Sequence, residues 1–262
     1  MDHFRSKYRN RRYLSHIGPF GSAQLHARNP LIVALWSVAF PGYGHFLLHK
    51  YVRGSALFLW ELYINQRTML NTAMMHTFNG EFQSAKDVLN EKFIYLYIPV
   101  YLFAIWDSYR TAADENKMYV LAKRENAPIP AFAVNSFEVN YLDKKKPWLA
   151  LVWSMGIPSM GQLYMHRMFS AVFTLVTTLV LVTYSNVLGG VHAFFLGDVA
   201  GSKTAIDPQW TLYLPSIYFF GLYDAYVNTV EHNKLFDREQ AEFLRKKYQS
   251  DKFVVYRGEV VR

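Results

Sequence analysis

The chain has 262 residues, of which 52% are hydrophobic, 17% are aromatic and 18% are charged, and its net charge is +8. Ordinary soluble domains carry about 25% charged residues, so this composition favours a membrane protein over a soluble one. The sequence contains no cysteine, which excludes disulfides, thiol catalysis and cysteine-based metal sites.

The chain begins with a basic arm, residues 1–28. Its arginines are Arg5, Arg9, Arg11, Arg12 and Arg28. No short apolar stretch with a small-residue cleavage site follows the arm, so we predict no signal peptide. A soluble nucleic-acid-binding protein would also be basic, but no nucleic-acid-binding motif occurs. We instead expect the arm to lie in the cytoplasm and to contact anionic lipid headgroups.

Further along the chain, one pattern occurs twice at a constant separation of 117 residues. Pro41 recurs as Pro158. The same step relates Trp36 to Trp153, Gly44 to Gly161, His49 to His166, Asp107 to Asp224 and Asn116 to Asn233. A single offset over scattered positions predicts a tandem duplication. We assign residues 29–119 to membrane repeat 1, 120–145 to a cytoplasmic linker, 146–236 to membrane repeat 2 and 237–262 to a basic cytoplasmic tail.

Each repeat contains three apolar segments. They cover residues 30–48, 54–70 and 93–111 in the first copy, and 147–165, 171–187 and 210–230 in the second. The second and third segments of each copy reach or approach the roughly 20 apolar residues that a membrane crossing needs. The first is interrupted by Pro41 or Pro158, and proline removes a helix donor and disfavours helical geometry at the preceding residue. We therefore predict a short helix, a break and a second short piece.

Two topologies are open at this point. If all six segments cross the membrane, each copy has an odd number of crossings and the copies lie inverted. If the first segment of each copy re-enters, the copies are parallel and the basic stretches share one side, while loops 71–92 and 189–209 lie outside with few basic residues. The positive-inside rule favours the second arrangement. The predicted fold is an all-α integral membrane protein of two tandem three-segment repeats, each a re-entrant or broken helix plus two transmembrane helices.

The break carries a recognisable motif. In the first copy it reads PGYGHF from Pro41, and the third segment ends in IWD at Asp107; the second copy has PSMGQLY from Pro158, and LYD at Asp224. These motifs resemble those of the TM2 domain and its bacterial relatives, in which an elbow joins a short helix to the next one. The resemblance implies a small membrane module of largely unassigned activity. The residues that carry the elbow are Pro41, Gly42, Gly44, His45, Pro158, Gly161 and Tyr164.

Two aspartates lie near the cytoplasmic ends of the last predicted spans, at Asp107 and Asp224. A carboxylate at that depth is costly unless it is paired. Basic residues of the elbows are the candidate partners: Lys50 or Arg53 for the first aspartate, and Arg167 for the second. We interpret both pairs as structural ion pairs, with a proton or ion site as the alternative. Asn116 and Asn233, nine residues after the aspartates, suggest helix termination.

Glu61 lies inside the second segment of the first copy, where the second copy has Thr178. A carboxylate in a membrane segment is a candidate functional residue. It could contact a partner subunit, form a transport site with Asn65, or simply bond internally to Asn65.

No catalytic set occurs in the sequence. His45 and His49 are four residues apart, which would place them on one helical face, but a third metal ligand is missing. We predict no metal and no cofactor. The predicted function is a non-catalytic accessory or assembly subunit of a larger membrane complex, multi-pass in the bacterial cytoplasmic membrane with both termini cytoplasmic. Its partners would be anionic lipids and other membrane subunits, not nucleic acid. The alternative is a small transporter or channel component that uses Glu61.

Overall fold

A computed structural model describes residues 12–18, 21–125, 127, 129–134 and 139–249. These residues are mostly helical, in agreement with the predicted helical class. Residues 1–11 of the predicted arm and 250–262 of the predicted tail lie outside the described residues. Two short hairpins, which the sequence did not predict, lie within the predicted arm and the predicted linker.

The first half of the chain forms a hairpin followed by six helices. Strands β1 (Ser15–Gly18) and β2 (Gly21–Gln24) pair antiparallel, with Ser15 opposite Gln24. The helices are α1 (Pro30–Ala39), α2 (Tyr43–Leu47), α3 (Tyr51–Thr68), α4 (Leu70–Phe78), α5 (Phe82–Val88) and α6 (Glu91–Arg124). We call the described part of residues 12–125 unit 1.

The second half repeats this order, except that the last long helix is divided into two. Strands β3 (Phe132–Val134) and β4 (Val139–Tyr141) are antiparallel. The helices are α7 (Pro147–Gly156), α8 (Met160–Tyr164), α9 (Met168–Ser185), α10 (Val187–Phe195), α11 (Val199–Ala205), α12 (Pro208–Thr211) and α13 (Leu214–Tyr248). We call the described part of residues 127–249 unit 2. Helices α7 to α11 begin 117 residues after α1 to α5, so the structure follows the offset of the sequence pattern.

The break in the first segment lies where proline predicts it. Pro30 occupies the first turn of α1, a favoured position, and the side chain of Asn29 accepts a hydrogen bond from the Leu31 amide. Helix α1 ends at Ala39, and the next residue, Phe40, has an extended backbone. Gly42 then takes a φ of 102°, which a residue with a side chain rarely adopts. Ser159 stands at the equivalent place with a φ of −78°, so the two breaks turn differently.

Helices α1 and α2 form a narrow helical hairpin against α6. The Tyr101 hydroxyl donates to the Val38 carbonyl near the tip of this hairpin, at 2.6 Å. At its base, Asn116 contacts Arg28. Helix α1 therefore runs antiparallel to α6, and α2 returns toward the end from which α1 entered. This is the predicted helix, break and second short piece.

The two units meet through aromatic side chains. Tyr43 of α2 stacks on Phe220 of α13 with ring centroids 4.1 Å apart. Phe46 lies 4.9 Å from Phe173 of α9. Such pairs bury large apolar areas, so the core of the molecule lies between the units.

By length and apolar composition, one helix among the described residues could cross a membrane, α9. Helices α5 and α6, bent by 88° at the break between them, meet the same requirement as a pair. The sequence pattern predicts four crossings, which is more than the length and apolar composition of these helices support. The reason is visible in α3, where Arg53, Glu61 and Arg67 lower the mean hydropathy of the helix.

Candidate functional site

The first predicted ion pair forms at Asp107, which is 1% exposed. Arg53 donates to its Oδ2 at 2.7 Å, and Nε2 of His45 lies 3.0 Å from the same oxygen. Arg110 donates to Oδ1 at 3.3 Å. Lys50, the other predicted partner, instead pairs with Glu115 at 3.1 Å because α6 carries that glutamate beside the turn before α3. The partner of Asp107 is therefore Arg53 and not Lys50.

The second predicted ion pair forms at Asp224. Arg167 donates to Asp224 Oδ2 at 2.6 Å, and Gln162 donates to the same oxygen at 2.9 Å. Asn228, one turn further along α13, donates to Oδ1 at 2.8 Å. The carboxylate is thus satisfied on both oxygens inside the protein.

The two aspartates are equivalent in position, but their arginines are not. Arg167 occupies the position of Lys50, and Arg53 occupies the position of Ser170. Arg167 directly precedes α9, and its side chain is 4% exposed. Arg53 lies in the first turn of α3, and its side chain is 53% exposed. Each unit therefore neutralises its aspartate from a different turn, and only in unit 2 is the arginine withdrawn from solvent.

The elbow histidines do not share a helical face, contrary to the prediction. His45 lies in α2 and is fully buried against Asp107. His49 follows the end of α2 with a φ of 57°, so its side chain points elsewhere, and its Nδ1 lies 3.3 Å from Arg28. The described residues contain no group of three or more ligating side chains arranged to hold a metal ion.

Of the remaining elbow residues, Gly44 and Gly161 hold α2 and α8 close to their neighbours. A Cβ on Gly44 would collide with the Ser37 side chain and lie 2.6 Å from the Val33 carbonyl oxygen. Tyr164, at the end of α8, accepts a hydrogen bond at its hydroxyl from the Lys146 amide at 3.1 Å. These residues shape the elbow and do not form a pocket for a ligand.

Two asparagines were expected to end helices, but they lie inside α6 and α13 and hold the chain before α1 and α7. The Arg28 amide donates to Asn116 Oδ1 at 2.9 Å, and Asn116 Nδ2 donates back to the Arg28 carbonyl at 2.7 Å. Asn233 makes the same two bonds with Lys145, at 2.8 and 2.7 Å. We call these paired bonds the asparagine clamps. The constant offset in the sequence relates the two asparagines to each other, but it does not reveal that their partners are Arg28 and Lys145.

Buried charges surround the first clamp at the base of unit 1. Burial and the neighbouring Arg28 and Lys234 lower the pKa of His26 to about 3. Burial also lowers the pKa of Arg28 to about 10, although Glu115, 3.6 Å away, opposes this shift. The equivalent base of unit 2 has Asp143 in place of His26 and His232 in place of Glu115. The acid and the histidine have thus exchanged positions between the units, and they lie 3.6 Å apart in unit 2.

Glu61 faces the interior of the protein and is 4% exposed. Its Oε1 accepts hydrogen bonds from Asn65 at 3.1 Å and from the Tyr97 hydroxyl at 3.3 Å. The internal bond to Asn65 is one of the interpretations offered by the sequence. Within the single chain the side chain is buried against α6, which carries Tyr97. Its other oxygen, Oε2, has no hydrogen-bond partner among the described residues.

Gln209 of α12, which no sequence motif singles out, links Glu61 and Asn65 to unit 2. Gln209 donates to the backbone carbonyl of Asn65 at 3.1 Å and to its Oδ1 at 2.9 Å. Asn71 donates to the Gln209 carbonyl at 2.9 Å, and the Thr72 amide donates to Oε1 at 3.0 Å. We call Glu61, Asn65, Asn71 and Gln209 the amide cluster. The sequence gives one indication of this role: Gln209 occurs in the second copy only, since the equivalent position in the first copy is Lys92.

The polar groups thus fall into three sets: two aspartate ion pairs, two asparagine clamps and one amide cluster. In each set the bonds connect parts of the same chain. Such an arrangement can hold the helices together, and two acceptor oxygens in it, Glu61 Oε2 and Gln162 Oε1, have no hydrogen-bond partner among the described residues. No family model, curated protein or solved structure matches the chain, so the role of these residues has to follow from their geometry.

Proposed function

We propose that the chain is a non-catalytic, multi-pass protein of the bacterial cytoplasmic membrane that serves as an assembly subunit of a larger membrane complex. The crossing helices would be α3, α6, α9 and α13, with α1–α2 and α7–α8 re-entering from the cytoplasm. The apolar helix α9 supports the membrane location. Exposed large apolar side chains support it further, among them Leu59, Leu102, Leu179 and Phe219.

We also propose a relationship to the TM2 domain and an origin by tandem duplication. The short helices on either side of Pro41 and Pro158 support the first proposal. The matching element order of units 1 and 2 supports the second.

The orientation follows from where charges lie relative to the two ends of the bundle. At the end that carries the hairpins lie Arg28, Lys50, Lys117, Lys123 and Lys144. The helices of the opposite end, α4, α5, α10 and α11, carry fewer basic residues, Lys86 and Lys203. The positive-inside rule, which counts Lys and Arg, supports a cytoplasmic hairpin end.

Contacts at both ends of the bundle support a parallel arrangement of the two units: the outer ends contact each other, and so do the hairpin ends. At the outer end, Asn71 bonds Gln209. At the hairpin end, Asn140 donates to the Gly18 carbonyl at 2.8 Å. Single cysteines placed at Lys117, Lys144, Ser84 and Lys203 test this topology, since the parent chain has none. Labelling of Lys117→Cys and Lys144→Cys from opposite sides of the membrane would overturn it.

The observation that carries the assembly role is the amide cluster, whose bonds join the two units. The chain would hold a fixed shape and offer its outer apolar faces to other membrane helices. Purification in mild detergent tests this role, and we expect other membrane proteins to co-purify in fixed proportion. A chain that consistently purifies from membranes alone would contradict it.

The unsatisfied Oε2 of Glu61 favours a second candidate function, a small transporter or channel component. For an assembly subunit, Glu61→Gln should leave both co-purification and cell function unchanged, since glutamine keeps an acceptor for Asn65. For a transporter, the same substitution should remove pH-dependent flux in proteoliposomes while the chain stays folded. Glu61→Thr, which installs the residue of unit 2, is the matched second variant.

A further inference from the structure

The contact between the units joins two different faces. Unit 1 contributes the aromatic side of its helix–break–helix hairpin, which we call its elbow face: Trp36, Phe40, Tyr43, Phe46 and Tyr51. Unit 2 contributes one side of α9 and α13, which we call its span face: Phe169, Phe173, Tyr213, Phe220 and Tyr223. Trp36 lies 5.0 Å from Tyr223, and Phe40 lies 5.8 Å from Tyr213. The contact is therefore head to tail and not two-fold symmetric.

Because both units have the same order of elements, each unit possesses both faces. The offset of 117 residues places the elbow face of unit 2 at Trp153, Ile157, Met160, Leu163 and Met168. It places the span face of unit 1 at Val52, Ala56, Leu96, Phe103 and Trp106. Every one of these positions carries an apolar residue, and most carry a large one.

Burial differs sharply between equivalent positions. Phe220 is 2% exposed at the unit contact, whereas its equivalent Phe103 is 48% exposed. Tyr213 is 3% exposed, and its equivalent Leu96 is 53% exposed. On the elbow side, Trp36 is packed against the core, and Trp153 is 53% exposed. Most of one elbow face and one span face is thus covered within the single chain, with Phe169 still 41% exposed, and one face of each kind is left uncovered.

We propose that these two uncovered faces bind each other between copies of this chain, so that the elbow face of unit 2 docks on the span face of unit 1 of the next copy. The inference rests on the proposed membrane location, in which both units point the same way. A head-to-tail contact repeats itself, and it gives a closed ring when the rotation per step closes and an open row when it does not. The occupant is a second copy because the chain already contains one example of the same contact.

The contact between copies lacks the polar bonds that support the contact within one chain. Gln209 and Asn65 of the amide cluster have Lys92 and Val182 at the equivalent positions. Within one chain Arg167 also donates a hydrogen bond to the Tyr51 hydroxyl. The equivalent positions hold Lys50 and Met168, and methionine has no hydroxyl to accept such a bond. Two copies also lack the high effective concentration that a covalent link gives two units. Association between copies is therefore weaker than the internal contact and rises with the density of the chain in the membrane.

Cysteine cross-linking tests the specific register. Tyr51 and Phe169 lie 4.7 Å apart between the units, and their equivalents are Met168 and Val52. Val52 is 87% exposed and follows the basic turn at Lys50, where a thiol would be reachable from water. One culture would co-express two differently tagged chains, one with Val52→Cys and one with Met168→Cys, and membranes would be treated with a short bis-maleimide.

We expect a cross-linked species that carries both tags, and no cross-linked dimer when either single variant is expressed alone. Cross-linking of one variant with itself would show a symmetric contact and overturn the proposal. A chain that stays uncross-linked and monomeric in nanodiscs of native lipid would show that lipid covers both faces, and would also overturn it. In that case co-purification of other membrane proteins would still uphold the proposed assembly role, while failure to fractionate with membranes would remove both.

Two tryptophans of α7 supply a matched pair of surface variants. Trp153 belongs to the elbow face, and Trp148 does not, since its equivalent Leu31 lies outside the unit contact and is 68% exposed. The side chains are 53% and 59% exposed in the single chain. We expect Trp153→Ala to lower cross-linking about tenfold, as for loss of an aromatic anchor in an interface, and Trp148→Ala to leave it unchanged. Equal effects of the two variants would contradict the assigned face.

Discussion

Arg167 and Asp224 form a 2.6 Å ion pair in which the two side chains are 4% and 1% exposed. Removing the charge from one member of a buried pair leaves the other charge unpaired, which costs about 3–5 kcal/mol. We therefore expect Asp224→Asn to lower the free energy of unfolding by that amount, measured by denaturant titration of the purified protein in detergent.

Asp107→Asn should cost less, about 1–2 kcal/mol, because the half-exposed Arg53 and Arg110 can turn toward solvent. Asp114→Asn, at an exposed pair with Lys117, is the control and should change the free energy of unfolding little. Equal losses for the variants at Asp107 and Asp224 would show that burial of the arginine does not set the strength of these pairs.

The asparagine clamps predict a local effect at the start of α1 and α7. Asn116→Ala removes two hydrogen bonds and leaves the amide and carbonyl of Arg28 without partners, at a cost of about 1–3 kcal/mol. We expect faster hydrogen exchange at the Arg28 amide, read by mass spectrometry. Asn116→Asp, which keeps the acceptor and loses the donor, should fall between the parent and the alanine variant. The same series at Asn233 should affect Lys145, and unchanged exchange at both positions would contradict the clamp.

Glycine at the elbow predicts a steric effect. A Cβ on Gly161 would collide with the Ser154 side chain and lie 2.5 Å from the Ala150 carbonyl oxygen, both in α7. We expect Gly161→Ala to destabilise the protein by about 1–3 kcal/mol, as other overpacking substitutions do. Gly156→Ala is the matched control in the same unit, since nothing lies within 4 Å of the added carbon. A melting temperature equal for both variants would show that α8 can move away from α7 at no cost.

His26 predicts a loss of stability in acid. Its pKa is about 3 in the folded protein and 6.5 in the unfolded chain. Between these two pH values the unfolded chain binds one more proton, so the free energy of unfolding falls by about 1.4 kcal/mol for each unit that the pH decreases. The stability is fully present above pH 6.5. His26→Asn should flatten this slope by one proton between pH 4 and 6, and an unchanged slope would contradict the assignment.

The break at Pro41 and Pro158 could be predicted from the sequence because proline acts on its own helix. The order of the longer apolar segments followed from the sequence, but α4, α5, α10 and α11 did not, since they lie largely in the stretches 71–92 and 189–209 that were predicted as outer loops. The partner of Asp107 could not be chosen between Lys50 and Arg53, since Glu115 attracts the lysine and becomes its neighbour only after folding. Asn116 was misread for a similar reason: Arg28 is 88 residues away in the sequence.

The amide cluster was only half predicted. Asn65 is one turn from Glu61, so their bond follows from helical spacing. Gln209 reaches Asn65 from 144 residues away, across the contact of the two units. The hairpins escaped prediction because strands of three or four residues carry too few side chains to show a period.

Both asparagine clamps close a loop of 88 residues, and each joins the beginning of its unit to the end of the same unit. During synthesis the first clamp can close once residue 116 has left the ribosome, while most of the second half is still unmade. Unit 1 can then fold before unit 2 is complete. Its aromatic elbow face stays uncovered until the span face of unit 2, which includes residues of α13, has been synthesised. Domains generally fold in this order as they are synthesised. During that delay, the span face of a neighbouring, completed chain can compete for the elbow face of unit 1. The order of synthesis therefore leaves exposed a surface through which two copies could exchange units.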